Sequence, residues 1–171
     1  MYPMKFRLIL SILAVAAIAG VLLWVRLGKG PDATFQATTD QSTAISAIVE
    51  INSSQYSVEV ADNPEKHGLG LSFRENLPKG TGMLFIFDLP SRPSFWMREM
   101  KFPLDLVWIN EQNTVIDITR NAPKPKPNTK EDDLPLYTPK ENIIYVLEIN
   151  AGESSAIKVG DKVKISNIRS L

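Results

Sequence analysis

The sequence contains no cysteine and only one histidine, His67. Disulfides, thiol nucleophiles, thiolate metal sites, haem attached through cysteine and any centre built on two imidazoles are therefore excluded. An excess of charge of one sign is missing as well, since 19 Lys and Arg balance 19 Asp and Glu. Without a polycationic surface the chain is not expected to coat a phosphate backbone, and nucleic acid is not an expected partner. No cofactor is called for, and no metal site: Met83, Met97 and Met100 read as core filler, copper(I) being the one metal that thioethers would suit. Gly80-Thr81-Gly82 is too short for a phosphate loop and precedes a strand-like run, not a helix. What remains is the composition of a folded protein, 44% hydrophobic and 22% charged over 171 residues. That length holds one ordinary domain and roughly fifty residues more, not two large domains.

The extra residues lie at the start. Behind a short basic N-terminus, residues 1–7, the run Leu8 to Val25 is 18 residues without a charge. As a helix it covers about 27 Å, close to the ~30 Å of a hydrocarbon core. Lys5 and Arg7 precede it, Arg26 and Lys29 follow it, and Trp24 stands where an interfacial aromatic would. Ala17-Ile18-Ala19 before Gly20 offers a signal-peptide cut, which would give a secreted domain starting after Ala19. Because Val21 to Val25 carry the apolar run past that site, the expectation is an uncleaved single-pass anchor, residues 8–25, with the domain outside the cytoplasm. Residues 26–48 are rich in Gly, Ala, Thr, Ser and Gln and read as a linker. From Val49 to Leu171, 15 Lys and Arg face 17 Asp and Glu, a net −2, which leaves no polybasic surface for lipid head groups beyond the juxtamembrane residues.

Ten of the twelve prolines fall between Pro64 and Pro139, which disfavours long helices there. Between them lie Tyr56–Ala61, which alternates, and Met83–Phe87, a continuous apolar run. Ser94–Met97, Leu104–Ile109, Thr114–Ile118, Ile143–Ile149 and Lys162–Ser166 follow. About seven short strands separated by turn residues predict a mostly β domain, a compact antiparallel barrel or sandwich. One short helix is expected over Asn63–Leu71, with Asn63 as cap, Pro64 in the first turn and Gly68 or Gly70 at the end. Gly152 and Gly160-Asp161 read as turns. Asn121–Pro139, with five prolines and six charges, reads as an exposed, partly extended loop.

Three blocks carry a family resemblance. Gly68–Ile109, which contains SFWM and PLDLVWI, together with Tyr145–Gly152 (YVLEINAG) and Ile157–Ile165 (IKVGDKVKI), resembles the prokaryotic domain of unknown function 192 family. The resemblance covers nearly the whole domain and implies a compact, mostly β fold, often behind an export signal or anchor; it supplies no established activity. Two positions depart from the pattern. Glu99 stands where the family usually has Asn, and the usual GLM before the Phe-Arg step is loosened to GLGLS, Gly68–Ser72.

The residues that invite chemistry are few. In LDLVWI, Asp105 shares a face with Val107 and Ile109, so on a core face its carboxylate needs a partner. Arg74 or Arg98 could supply a bidentate fork, or turn amides could serve. Asp105 then either pins a turn beside Pro103 or faces a ligand. Glu148 lies with Ile144 and Val146 in IIYVLEI and is a second inward carboxylate if both faces are buried. Paired, Asp105 and Glu148 would suit glycoside hydrolysis, with Trp96 and Trp108 as stacking platforms for a saccharide. His67, the one possible imidazole base, reads as a solvated helix-end residue.

In SFWM, Phe95 and Met97 face one way while Ser94 and Trp96 face the other. An exposed Trp gives up ~1.5–3 kcal/mol of burial. Trp96 is therefore expected either wholly in the core or lining a concave site with Arg98 and Asp105 nearby. The candidate ligand-binding residues are Trp96, Arg98, Asp105 and Arg74. No residue combination makes a familiar nucleophile–base pair, which favours a binding or accessory module of the cell envelope, for an envelope polysaccharide or a protein partner, over an enzyme. A carboxylate-dependent polysaccharide hydrolase is the alternative. The oligomeric state is not legible.

Overall fold

The computed structural model describes residues 45–170. The expected anchor, residues 8–25, lies outside them, and among the described residues no helix is long and apolar enough to cross a membrane. The elements are strands β1 (Ile45–Ile51), β2 (Ser54–Ala61), β3 (Thr81–Ser91), β4 (Leu104–Ile109), β5 (Val115–Ala122), β6 (Ile143–Asn150) and β7 (Val163–Ser170). A helix α1 (Pro64–Leu69) follows β2, and a single 3₁₀ turn (Glu131–Asp133) lies between β5 and β6. The strands form one sheet in the order β5-β4-β6-β3-β2-β1-β7, curled into a half-barrel. At one end its two edges meet. The Val115 amide donates to the Asp161 carbonyl and the Val163 amide to the Asn113 carbonyl, each at 2.9 Å.

Mostly β is therefore right, but the domain is a single curled sheet and not a sandwich, and it is not wholly antiparallel. β2 and β3 run parallel, because α1 and the turns after it carry the chain back to the end where β2 began. The helix is built as its sequence dictates: Asn63 Oδ1 accepts from the Lys66 amide at 3.0 Å, Pro64 occupies the first turn, and Gly70 ends the element at φ 50°. Two strand assignments differ from the sequence reading. Ser94–Met97 is no strand; only Phe95 pairs, with Tyr137. Pro93 precedes the run, and a turn closed by the Met100 amide on the Met97 carbonyl follows it. Conversely β1 begins at Ile45, inside the stretch read as linker, because Ala47, Val49 and Ile51 all point into the core.

Both faces of the sheet are covered, which is why all six residues of β4 are buried. One face gathers Val49, Val58, Leu84, Val107, Leu147 and Ile149, among others, around Ile157. The opposite face carries Met83, Phe85, Leu106, Trp108 and Val146. The segments around Leu71, Phe95, Met97 and Met100 pack over it. This second layer builds the site.

Candidate functional site

Glu148 sits in the middle of that second layer. Its register partners are Met83 on β3 and Leu106 on β4, so strict alternation aims its side chain between two apolar neighbours. It is only 5% exposed, and burial pushes its carboxyl from an ordinary 4.5 up to about 8. Among the described residues it has no hydrogen-bond partner, yet no buried polar side-chain atom there is both sealed off and unsatisfied. Its oxygens therefore keep a small opening, and that opening is a cavity of about 140 Å³ which Glu148 lines.

Aromatic rings make the walls. Phe85 and Phe87 rise from β3, and Phe95 meets them edge-on, its centroid 4.9 Å from Phe85 and 6.4 Å from Phe87. Phe95 also meets Trp108 edge-on at 5.5 Å. His67 closes one side, 4.8 Å from Phe87, with Nε2 3.0 Å from the Ala61 carbonyl oxygen. Backbone from Gly68 to Ser72, and Met100, complete the lining. Trp96 stands at the mouth, 40% exposed, with the Arg98 guanidinium 4.7 Å from its ring centre. Arg98 in turn pairs with Glu131 at 3.0 Å. The alternation read in SFWM thus holds without a strand: Met97 is buried and Trp96 lines a concave surface beside Arg98.

The other predicted residues are elsewhere. Asp105 pairs in register with Ile149, the neighbour of Glu148, and so projects from the opposite face of the sheet. Its carboxylate is fully occupied there. One oxygen accepts from the Asn121 amide at 2.7 Å. The other accepts from the Gly152 amide at 2.9 Å, the Ser154 amide at 3.1 Å and the Ser154 hydroxyl at 2.7 Å. Turn amides, not an arginine, are its partners, and it ties the loop after β6 to the end of β5. Arg74 forms a bidentate pair with Glu59 instead, with its second bond at 2.8 Å. That guanidinium holds the Glu59 carboxyl below the usual carboxylate range. The structure therefore brings Trp96, Arg98 and Glu148 to one region and separates Asp105 and Arg74 from it. The paired-carboxylate arrangement is not formed. Trp108 is not a stacking platform either; it is fully buried, its indole N–H donating to Thr119 Oγ1 at 3.0 Å.

Sequence reasoning missed His67 as a wall of the site. The available signal was its place in the last turn of α1, a helix that follows directly on β2 and whose His67 ring meets Phe85 and Phe87 of β3. Phe85 and Phe87 were legible only as strand residues.

The sequence profile of domain of unknown function 192, described as an uncharacterized ACR, matches residues 47–165. The chain belongs to the domain of unknown function 192 family. Two solved structures are similar over most of the domain. One, from Sinorhizobium meliloti 1021 and provisionally described as a transcription regulator, is 26% identical. The match covers 72% of this chain and 95% of that one, with a TM-score of 0.62. The other, a protein of unknown function from Novosphingobium aromaticivorans DSM 12444, is 30% identical. There the coverage is 70% and 84%, with a TM-score of 0.60. No curated protein matches the chain. The family resemblance also explains one departure in backbone terms. Glu99, at the position where the domain of unknown function 192 pattern has Asn, lies at φ 56°, in the left-handed region that Asn tolerates and Glu resists. Its carbonyl accepts from the Phe73 amide at 3.0 Å, and the Arg98 carbonyl accepts from the Ser72 hydroxyl at 3.0 Å. That position clamps one rim of the cavity to the other, so its conformation matters more than its side chain.

Proposed function

We propose that the domain is a ligand-binding module of the cell envelope, tethered through residues 8–25 with its β domain outside the cytoplasm, and that its ligand enters the cavity over Glu148. The observation that carries this reading is a buried carboxyl without a hydrogen-bond partner, lining an aromatic-walled cavity that opens beside a half-exposed Trp96. A buried polar group left unpartnered costs free energy, and proteins keep such groups chiefly where something else will partner them. At about 140 Å³ the cavity is smaller than the ~300–1,000 Å³ typical of drug-sized ligands, so a small molecule or the head group of a larger one fits. A polysaccharide hydrolase is less well supported, because Asp105 is on the other sheet face and Glu148 lacks a second carboxylate across the cavity. A transcription-regulator role, the description given to the Sinorhizobium protein, is also less well supported, since the domain from Val49 onward carries a net −2.

The reading is tested on the full chain in detergent micelles carrying ¹³C-methyl methionine. Met100 lines the cavity while Met97 is buried in the core, so a ligand taken from a panel of envelope saccharides, amines and lipid head groups should move the Met100 methyl resonance and leave Met97 in place. Trp96→Ala should abolish that shift without unfolding the domain. Shifts that persist in Trp96→Ala would place binding elsewhere. The tether is tested separately: alkaline carbonate should leave the full chain in the membrane pellet, and a reporter fused after Leu171 should work only outside the cytoplasm.

A further inference from the structure

We infer that the group taken by this cavity is an organic ammonium, held by the Glu148 carboxylate inside an aromatic-walled cavity. The inference rests on the binding-module reading above and specifies the ligand's chemistry. Three features of the lining point to it. First, Glu148 is the one acidic side chain at the cavity among the described residues, and three of the other polar side chains there already have a protein partner. His67 Nε2 lies on the Ala61 carbonyl, the Ser72 hydroxyl donates to the Arg98 carbonyl, and the Ser94 hydroxyl lies 3.2 Å from that of Thr138. A polyol, which needs several donors and acceptors, would have to compete with those bonds. A ligand with a single charged centre finds what it needs.

Second, no lysine or arginine lines the cavity among the described residues. An anionic ligand would meet the carboxyl with nothing to neutralise it, whereas a cation supplies the missing counter-charge. Third, the rings stand at steep angles to one another, Phe95 at 82° to Phe85 and 72° to Phe87. Aromatic rings thus make up much of the wall, and aromatic walls suit an organic cation. Trp96 already shows this affinity on its own surface, where the Arg98 guanidinium rests. The raised carboxyl fits the same picture. Empty, Glu148 is kept neutral by burial; an ammonium replaces the lost solvation and allows it to ionise.

The test titrates the full chain, again followed through the methionine methyls, with choline and with its neutral isostere 3,3-dimethylbutan-1-ol. Choline should shift Met100 with at least about tenfold higher affinity than the alcohol, the margin expected of a desolvated cation–π contact joined to an ion pair. Glu148→Gln, which keeps the volume and breaks no existing hydrogen bond, should bring choline down to the alcohol's affinity while Met97 stays in place. If the two probes bind equally and Glu148→Gln changes neither, the ammonium assignment fails and the binding-module reading survives. If neither probe moves Met100 at any accessible concentration, both fail. Reconstitution in phosphatidylglycerol bilayers with and without phosphatidylcholine separates the sources. A Met100 shift from the lipid alone assigns a membrane head group; a shift only on adding choline assigns a soluble amine. Either supports the ammonium site.

Discussion

At the scale of single residues the two buried carboxyls, adjacent in register, are opposites. Glu148 has no partner and is kept protonated by burial, so it stabilises the fold only while it holds its proton. Its folded value of about 8 lies above the ordinary 4.5, so the folded state binds more protons between those limits and stability must fall as pH rises through them. The contribution is complete below about pH 4.5 and gone above about pH 8, up to about 5 kcal/mol in all. The urea midpoint of the domain should therefore drop between pH 5 and pH 8, and Glu148→Gln should flatten that slope. Glu59 and Asp62, whose carboxyls Arg74 and Lys66 hold below their ordinary range, titrate outside this window. A slope unchanged in Glu148→Gln would mean that burial does not hold the proton. Asp105, by contrast, has four donors on its two oxygens. Asparagine in its place offers one acceptor oxygen and turns an amide N–H₂ toward donors. Asp105→Asn should cost about 3 kcal/mol in urea unfolding and leave the Met100 response to ligand intact. Loss of the ligand response in a folded Asp105→Asn protein would reopen a role for Asp105 in the site.

Elements show how much of this was legible. Period-two alternation identifies β2, an unbroken apolar run identifies β3, and runs broken only by Asp105 and Glu148 identify β4 and β6, because a strand covered on both faces has little polar side to show. β1 is hidden: Ala47 and Ser46 give its pattern little hydrophobic contrast, although Ala47, Val49 and Ile51 point into the core. SFWM misleads in the other direction, since its side-chain alternation is real while its backbone pairs only at Phe95. The parallel pairing of β2 with β3, and the register that sends Asp105 and Glu148 to opposite faces, are relations between strands that no single segment encodes. That is why both carboxyls could be recognised as inward and still be wrongly brought together. Gly82 is a related case. In the sequence it ends a Gly-Thr-Gly triplet that precedes a strand-like run, yet it lies within β3, where a Cβ would sit 3.0 Å from Ile149 Cγ2 and well inside contact of the Glu148 carbonyl oxygen. β3 and β6 can approach only because that side chain is missing. Gly82→Ala should therefore cost about 1–3 kcal/mol by overpacking. It should also disturb the Glu148 cavity, seen as a shifted Met100 resonance in the absence of ligand. A neutral substitution would show that the two strands can part without loss.

At the scale of the whole molecule, the extent of the β domain follows from where the buried side chains are, and the tether before it is the proposed one. Every residue of the two described cores lies between Ala47 and Val163. All seven strands pair with one another inside the described region, the edges meeting through Val115–Asp161 and Asn113–Val163. The described cores are built from residues Ala47 to Val163, so a chain beginning at Gln41 should fold with the urea midpoint of the full protein. Membrane association should be lost in the same step, because the four basic residues near the apolar run, Lys5, Arg7, Arg26 and Lys29, are removed with it and the rest carries a net −2 from Val49 onward. Polybasic attraction to anionic lipid is worth ~1 kcal/mol per basic residue near the surface, and a slightly acidic domain has none to spare. Floated with phosphatidylglycerol vesicles, the full chain should rise with the lipid and the shortened chain should stay at the bottom of the gradient. Flotation of the shortened chain at physiological salt would mean that the β domain binds membranes by itself, and the exposed apolar residues Leu69 and Trp96 that line the cavity would be where to look, by testing whether Trp96→Ala removes it.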